Sequence, residues 1–155
     1  MKTLKIISLS MVILIGFAAC NKTKVNSKRL MKAGEWKVTE LSVDGSNEAE
    51  LPSWEIEDCD IYAQSCMAEW MNEEGGHAEF VWQFREKGKT FEISYQADEN
   101  HAHAHDHAAE EAAAQAYAFS GIYEVLESKS KEMQFQTTSA LGHGGKSVVI
   151  KIEKK

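Results

Sequence analysis

The 155-residue sequence has few basic residues, one proline and three cysteines. Seventeen lysines and arginines stand against 24 aspartates and glutamates, so the formal net charge is −7. Nucleic-acid binding depends on basic side chains that neutralise phosphates, and this composition argues against that function. The single proline, Pro52, and the lack of a Ser/Pro-rich stretch give no sign of a linker. We therefore expect one folded domain.

The sequence also lacks an apolar run of the length that crosses a membrane. The apolar stretch near its start, residues 6–19, has 14 residues, whereas a spanning helix needs about 20. It follows Lys2 and Lys5 and ends in small residues, which is the layout of a secretory signal peptide. We expect residues 1–19 to be removed, which leaves 15 basic residues against 24 acidic ones and a formal charge of −9.

The end of this leader, FAAC at residues 17–20, is similar to a bacterial lipobox. The resemblance implies cleavage before Cys20 and acylation of that cysteine with palmitate-type chains, which anchor stably when there is more than one. Residues 20–30 are then expected to form a polar tether. Asn21, and the lack of an acidic run after it, favour the outer membrane with the protein facing the periplasm. The alternative is an ordinary signal peptide whose cysteine stays in the mature chain.

Cys59 and Cys66 are the other two cysteines. In an oxidising compartment a lone pair usually forms a disulfide, and this spacing closes a short loop that fits a turn between neighbouring strands. The alternative is a pair of metal-binding thiolates, but zinc sites use closer spacings. We therefore predict a disulfide.

Alternation of apolar and polar residues indicates short β-strands along most of the chain. It is clearest in EWKVTELSV, SCMAEWMN, FVWQF, TFEISYQ, EMQFQTT and SVVIKIE. Turns separate these runs, including Asp44-Gly45 and EKGK. About seven strands predict an all-β domain over residues 31–155, an antiparallel meander that forms a small barrel or curled sheet. A two-sheet sandwich is the alternative.

Residues 97–116 interrupt this pattern, and we interpret them as an insertion between two strands. Its second half, HAAEEAAAQA at residues 107–116, is rich in alanine and glutamate and has no β-branched residue, which favours a helix. Asp106 is a candidate for its N-cap. With almost no large apolar residue, this helix has a weak core-facing stripe. Loops of this length without a role in the core are often functional or disordered.

From residue 101 to residue 107 the insertion has a histidine at every second position, and we call this segment the histidine run. Imidazole is the commonest protein ligand for zinc, copper and nickel. In an extended chain these imidazoles project to one side, about 6.6 Å apart. In a helix they form pairs four residues apart on one face. Asp106 supplies an oxygen ligand or accepts a hydrogen bond from a ring N–H. The predicted metal ligands are therefore His101, His103, His105, His107 and Asp106.

A histidine-rich composition does not by itself indicate an ordered site. The alternative is therefore that residues 101–107 form a solvated loop that binds no metal. His77 and His143 lie in two glycine-containing turns and join the site only if the fold brings those turns near. The sequence has neither an H-E-x-x-H nor a G-x-S-x-G motif, and we do not expect an enzyme.

The chain resembles the lipocalin-like lipoproteins of Bacteroidota over most of residues 29–154. The resemblance is carried by LMKAGEWKVTELSVDG, FVWQFREKGKTFEIS, SGIYEV, and the final pair MQFQTT and SVVIKIEKK. Gly34 and Trp36 are similar to the Gly-x-Trp that opens the first lipocalin strand, where the tryptophan closes the base of the barrel. The resemblance implies a binding or structural protein of the envelope, and the histidine run is outside the family pattern.

Together these features predict a membrane-anchored periplasmic protein that binds zinc, copper or nickel through the histidine run as a buffer, sensor or delivery protein. Two alternatives stay open. One is a lipocalin-like carrier of a small apolar ligand, for which the sequence assigns no residues. The other is a non-catalytic interaction module of the envelope.

Overall fold

The computed structural model describes residues 22–60, 65–96 and 107–155. Cys20, His101, His103, His105 and Asp106 lie outside the described residues. Within these ranges the chain forms a closed antiparallel β-barrel with two helices. The all-β prediction is confirmed, and because the sheet closes on itself the barrel is favoured over the sandwich.

Nine strands are present in the described part of the chain. They are β1 (Glu35–Val43), β2 (Ser46–Asn47), β3 (Ser53–Ile56), β4 (Cys66–Met71), β5 (His77–Arg85), β6 (Thr90–Tyr95), β7 (Gly121–Ser128), β8 (Glu132–Thr137) and β9 (Val148–Lys154). From β3 onward each strand pairs with the next, β3 also pairs with β1, and β9 pairs with β1 to close a ring of eight. The short β2 extends β1 as a hairpin outside this ring.

Side-chain alternation explains why these segments are strands. In β4, Cys66, Ala68 and Trp70 are buried while the residues between them are partly exposed. The same alternation in β8 buries every second residue. Asp44 and Gly45 both have positive φ, 50° and 79°, and form the two-residue turn that matches the twist of a hairpin. The strand predictions that rested on period-two patterns are therefore confirmed.

Aromatic side chains fill the interior of the barrel. All four tryptophans are at most 1% exposed. Trp54 lies among them, with its ring centroid within 6.4 Å of the rings of Trp70, Phe80, Phe91 and Phe135. An eight-stranded barrel is just wide enough for side chains to fill it. The core of this barrel is therefore a packed aromatic cluster.

The strand directions place the connections at two opposite ends of the barrel. The α1 end consists of residues 22–34, 57–60, 86–89, 129–131 and 154–155, and it carries helix α1, residues 22–33. The α2 end consists of residues 44–45, 72–76, 107–120 and 138–147, and it carries helix α2, His107–Ala118. Neither helix, in the part of the chain described, has the length and apolar character needed to span a membrane.

The sequence predicted a polar tether for residues 20–30, and the described part of that segment, residues 22–30, belongs to helix α1 instead. Asn26 and Leu30 are buried against the barrel, at 1% and 0% exposure. The indole Nε1 of Trp36 donates to the carbonyl oxygen of Leu30 (2.9 Å), and the amide of Asn26 donates to the carbonyl oxygen of Gly88 (3.3 Å). One partner lies in the first strand and the other, Gly88, lies 62 residues further along the chain, so this segment packs on the domain.

Candidate functional site

Helix α2 confirms the helix predicted for residues 107–116, and it packs more closely than its composition suggested. Ala112 and Ala116 are fully buried. At Gly76, in the turn between β4 and β5, an added Cβ would overlap the carbonyl oxygen of Ala108. The alanines are therefore a close-packing face, because small side chains let the helix backbone meet the turn directly.

Asn72 joins the β4–β5 turn to the first turn of α2. Its amide oxygen accepts a hydrogen bond from the backbone N–H of Gly76 (2.8 Å), and its amide nitrogen donates to the carbonyl oxygen of Ala108 (2.9 Å). The backbone N–H of Asn72 also donates to the carbonyl oxygen of Gly76 (2.9 Å). Asn72 is only 8% exposed, so these bonds are shielded from water. The turn and the start of the helix form one structural unit.

Further along α2, two more contacts fix the helix to the barrel. The indole Nε1 of Trp70 donates to the side-chain oxygen of Gln115 (2.8 Å), and Trp70 stacks on Phe119 with 6.0 Å between ring centroids. After the helix, the hydroxyl of Ser120 accepts from the backbone N–H of Tyr95 (2.8 Å). Since α2 is held along its length, its first residue has a defined place in the fold.

His77 and His107 flank the contact between the turn and the helix. His107 begins α2, is 92% exposed, and places its Nδ1 3.8 Å from Oε2 of Glu110. His77 directly follows the turn, and its Nδ1 lies 3.9 Å from Oε2 of Glu69. Because Gly76 packs on Ala108, each histidine is one residue away from the same contact. The fold therefore brings the His77 turn to the end of the histidine run.

His143 lies elsewhere, at the other end of α2. It ends the short 3₁₀ turn Leu141–His143, and its ring packs against Phe119 with centroids 4.7 Å apart. A Cβ on Gly142 would lie 2.6 Å from the Cβ of Ala118, the last residue of α2. The helix spans roughly 16 Å at 1.5 Å per residue. His143 is therefore separated from His107 by the length of α2.

Of the predicted metal ligands, the structure places His107 alone. His101, His103, His105 and Asp106 lie outside the described residues. Within residues 22–60, 65–96 and 107–155, no three His, Cys, Asp or Glu side chains are grouped in a way that could hold a metal. A complete site at the start of α2 requires ligands from the histidine run in addition to those described.

The surface around the start of α2 is acidic. Five acidic side chains occupy the described connections at this end, against one basic side chain, that of Lys146. Glu110 lies in the first turn of α2, where a carboxylate offsets the positive partial charge of the helix N-terminus, and Glu111 follows it. A negative surface raises the local concentration of cations. The acidic residues are Asp44, Glu73, Glu74, Glu110 and Glu111.

The disulfide predicted between Cys59 and Cys66 is present, with 5.8 Å between the two Cα atoms. It lies at the α1 end, where it closes the connection between β3 and β4. Both sulfurs are bonded to each other, so the alternative of a thiolate metal pair is wrong for this state of the protein.

An open groove of about 250 Å³ lies on the outside of the barrel beside β3. Its lining includes Lys37, Pro52, Ser53 and Glu73. Small-molecule sites bury most of the surface of their ligand. A groove this open does not provide that enclosure.

Comparison with known proteins adds no relative, since no family model, curated protein or solved structure matches the chain. The kinship with lipocalin-like lipoproteins stays a prediction, while a barrel of the kind that it implied is present.

Proposed function

We propose that the protein is a lipoprotein of the cell envelope that binds zinc, copper(II) or nickel at the α2 end of its barrel. The hydrogen bond from Asn72 to Ala108 carries the proposal, because it fixes the helix that follows the histidine run against the turn that bears His77. The ligands are drawn from His101, His103, His105 and His107, with Asp106 as an oxygen ligand or hydrogen-bond acceptor.

The fixed start of α2 lowers the entropic cost of assembling such a site. A metal that binds a segment free at both ends has to order the whole segment. Each ordered residue then costs about 1–2 kcal/mol in backbone conformational entropy. Here the tract ends at His107, the first residue of a helix that is fixed to the barrel. One ligand therefore comes from a residue that is already placed.

His77 extends the possible ligand set beyond the run. Tetrahedral zinc is satisfied by four nitrogen or oxygen ligands. Glu69 lies beside His77, and a carboxylate near a ligating imidazole favours its correct orientation. The acidic side chains of this end add attraction for the cation.

The packed interior of the barrel supports metal binding over the carriage of an apolar ligand. A lipocalin-like carrier needs an enclosed apolar space, and here Trp54 and its aromatic neighbours occupy the centre. An interaction module of the envelope stays a second candidate, because four large apolar side chains in the described ranges are about half exposed or more. They are Tyr117, Ile122, Leu126 and Leu141.

Calorimetric titration of zinc, copper(II) and nickel into the chain begun at residue 21 tests the metal proposal. All the strands and helical residues described lie within residues 22–155, so this chain retains the described fold. We expect binding tighter than about 100 μM that is lost when His101, His103 and His105 are replaced by alanine. The control is His143→Asn, at the far end of α2, which should leave the affinity unchanged. Equal affinity in the triple variant contradicts the proposal.

Mass spectrometry of the membrane fraction tests the anchor. We expect a mature chain that begins at Cys20 and carries acyl chains, and a Cys20→Ser variant that lacks them. A mature chain with an unmodified Cys20 contradicts the lipoprotein assignment and leaves the metal proposal to its own titration.

A further inference from the structure

Charge is divided unevenly between the two ends of the barrel. The α1 end has eleven basic and four acidic side chains among its described residues. The α2 end has one basic and five acidic side chains among those described. The α1 end is therefore basic, although the formal charge of the whole chain is −7.

Helix α1 carries a stripe of lysines on its solvent side. Lys24, Lys28 and Lys32 are four residues apart and exposed, whereas Leu30 faces the barrel. Residues 22–34 contain no acidic residue. Like charges four residues apart destabilise a helix. Repulsion between Lys28 and Lys32 thus works against the helix, and an anionic surface offsets it.

Side-chain hydrogen bonds fix α1 on the barrel and so fix the direction of the stripe. The guanidinium of Arg29 donates to the carbonyl oxygen of Ser128 (2.7 Å). The hydroxyl of Ser128 donates to the amide oxygen of Asn26 (2.8 Å), whose nitrogen donates to Gly88 (3.3 Å). The helix therefore lies against the turn at residues 86–89 and against the end of β7, which the 129–131 turn follows.

These two turns extend the basic surface. Lys87, Lys89 and Lys131 are exposed and lie within three residues of the hydrogen bonds that hold α1. Lys129 contributes less, because its ammonium pairs with Glu127 at 2.5 Å, and the hydrogen bond and charge of that carboxylate raise the pKa of Lys129. The helix lysines and the turn lysines belong to one face of the molecule.

The basic end is also where the chain leaves the anchor. Cys20 precedes Lys22 by two residues, a distance that the backbone spans with at most about 7 Å. The closeness of the α1 end to a lipid anchor rests on the proposed acylation of Cys20, whereas the charge distribution does not. The acyl chains hold the protein at the membrane, and a basic patch beside them adds attraction to anionic lipids.

We propose that the α1 end is a docking surface for anionic phospholipid headgroups. The domain then stands on the membrane with α1 beneath it, and the opposite end, which carries α2 and the acidic surface, points away from the lipid. Attachment depends on salt, because the interaction is between exposed charges.

Co-sedimentation of the unacylated chain begun at residue 21 tests the proposal. The vesicles are phosphatidylcholine alone, or phosphatidylcholine with about three-tenths phosphatidylglycerol, at low ionic strength. We expect sedimentation with the anionic vesicles alone and its loss as salt is raised. Lys28→Gln should weaken the partition about fivefold, and Lys28→Gln combined with Lys32→Gln by about 25-fold.

The matched control is Lys146→Gln, which removes the same charge from an exposed lysine at the α2 end and should change nothing. Glutamine is a good helix former, so circular dichroism should show α1 intact in the lysine variants. Equal sedimentation with both vesicle types, sedimentation with neither, or an equal loss in Lys146→Gln overturns the proposal. Zinc titration of Lys28→Gln should match the native chain, so failure here is distinct from failure of the metal site.

Discussion

The side-chain amide of Asn72 donates to the carbonyl oxygen of Ala108 at 2.9 Å, and this bond joins a β-turn to the helix that follows the histidine run. The same amide accepts from Gly76 at 2.8 Å, so a single buried side chain organises the α2 end of the barrel. This end also carries the acidic surface and all three described histidines, with His77 and His107 beside the contact between the turn and the helix and His143 at the other end of α2.

Asn72→Ala should lower the free energy of unfolding by about 1–3 kcal/mol, because the buried N–H of Gly76 loses its acceptor and the carbonyl oxygen of Ala108 loses a donor. It should also weaken metal binding, since the start of α2 is then less firmly placed. Urea denaturation and zinc titration measure the two effects. Asn72→Asp keeps the acceptor and loses the donor, so an intermediate stability is expected. Native stability in Asn72→Ala would show that the bond is not structural.

Gly76→Ala should destabilise the protein by about 1–3 kcal/mol, since its Cβ would overlap the backbone of Ala108 and force the helix outward. Gly144→Ala is the matched control, because nothing lies within 4 Å of a Cβ built there and its φ is negative, −48°. Thermal unfolding of both variants compares them. Equal melting temperatures would contradict the close approach of α2 to the turn.

Removal of the disulfide by Cys59→Ser with Cys66→Ser should cost about 2–3 kcal/mol, the loop-closure entropy expected for a short loop. Metal affinity should not change, because the disulfide lies at the end of the barrel opposite His107. Denaturation and zinc titration of the double variant measure the two quantities. A loss of zinc binding at unchanged fold would place the metal with the cysteines instead.

Tyr123 makes stability depend on pH in the alkaline range. Burial raises the pKa of its hydroxyl, which donates to the carbonyl oxygen of Phe119 at 2.5 Å. The unfolded chain releases this proton near pH 10 and the folded chain at higher pH. The contribution is therefore complete below pH 10 and falls above it by about 1.4 kcal/mol per pH unit. Tyr123→Phe should remove that part of the slope, and identical slopes from pH 9 to 12 would contradict it.

The strands that could be predicted from the sequence are those long enough to show alternation, such as β4 and β8. Strand β3 has four residues beside Pro52, too few for the pattern, although its Trp54 lies at the centre of the core. Helix α1 was missed for a different reason. Asn26 is polar and has its partners on distant turns, and no local periodicity reveals such contacts.

The candidate site was predictable in part. The composition of residues 107–116 indicated a helix, but its burial depends on the missing side chain of Gly76 and on Asn72, which only the fold brings together. The contact between Gly76 and Ala108 brings the turn before His77 to the start of α2, where His107 lies. Packing on Phe119 places His143 at the other end of α2. Spacing along the chain carries no information about either placement.

Paramagnetic broadening by copper(II) locates the proposed metal, which we expect at the start of α2. In a nitrogen-labelled chain begun at residue 21, substoichiometric copper should first broaden the amide signals of residues 72–77 and 107–111. Signals of residues 141–145 and of α1 should persist at the same ratio. Broadening centred on His143 or on α1, or spread evenly over the chain, would contradict the account.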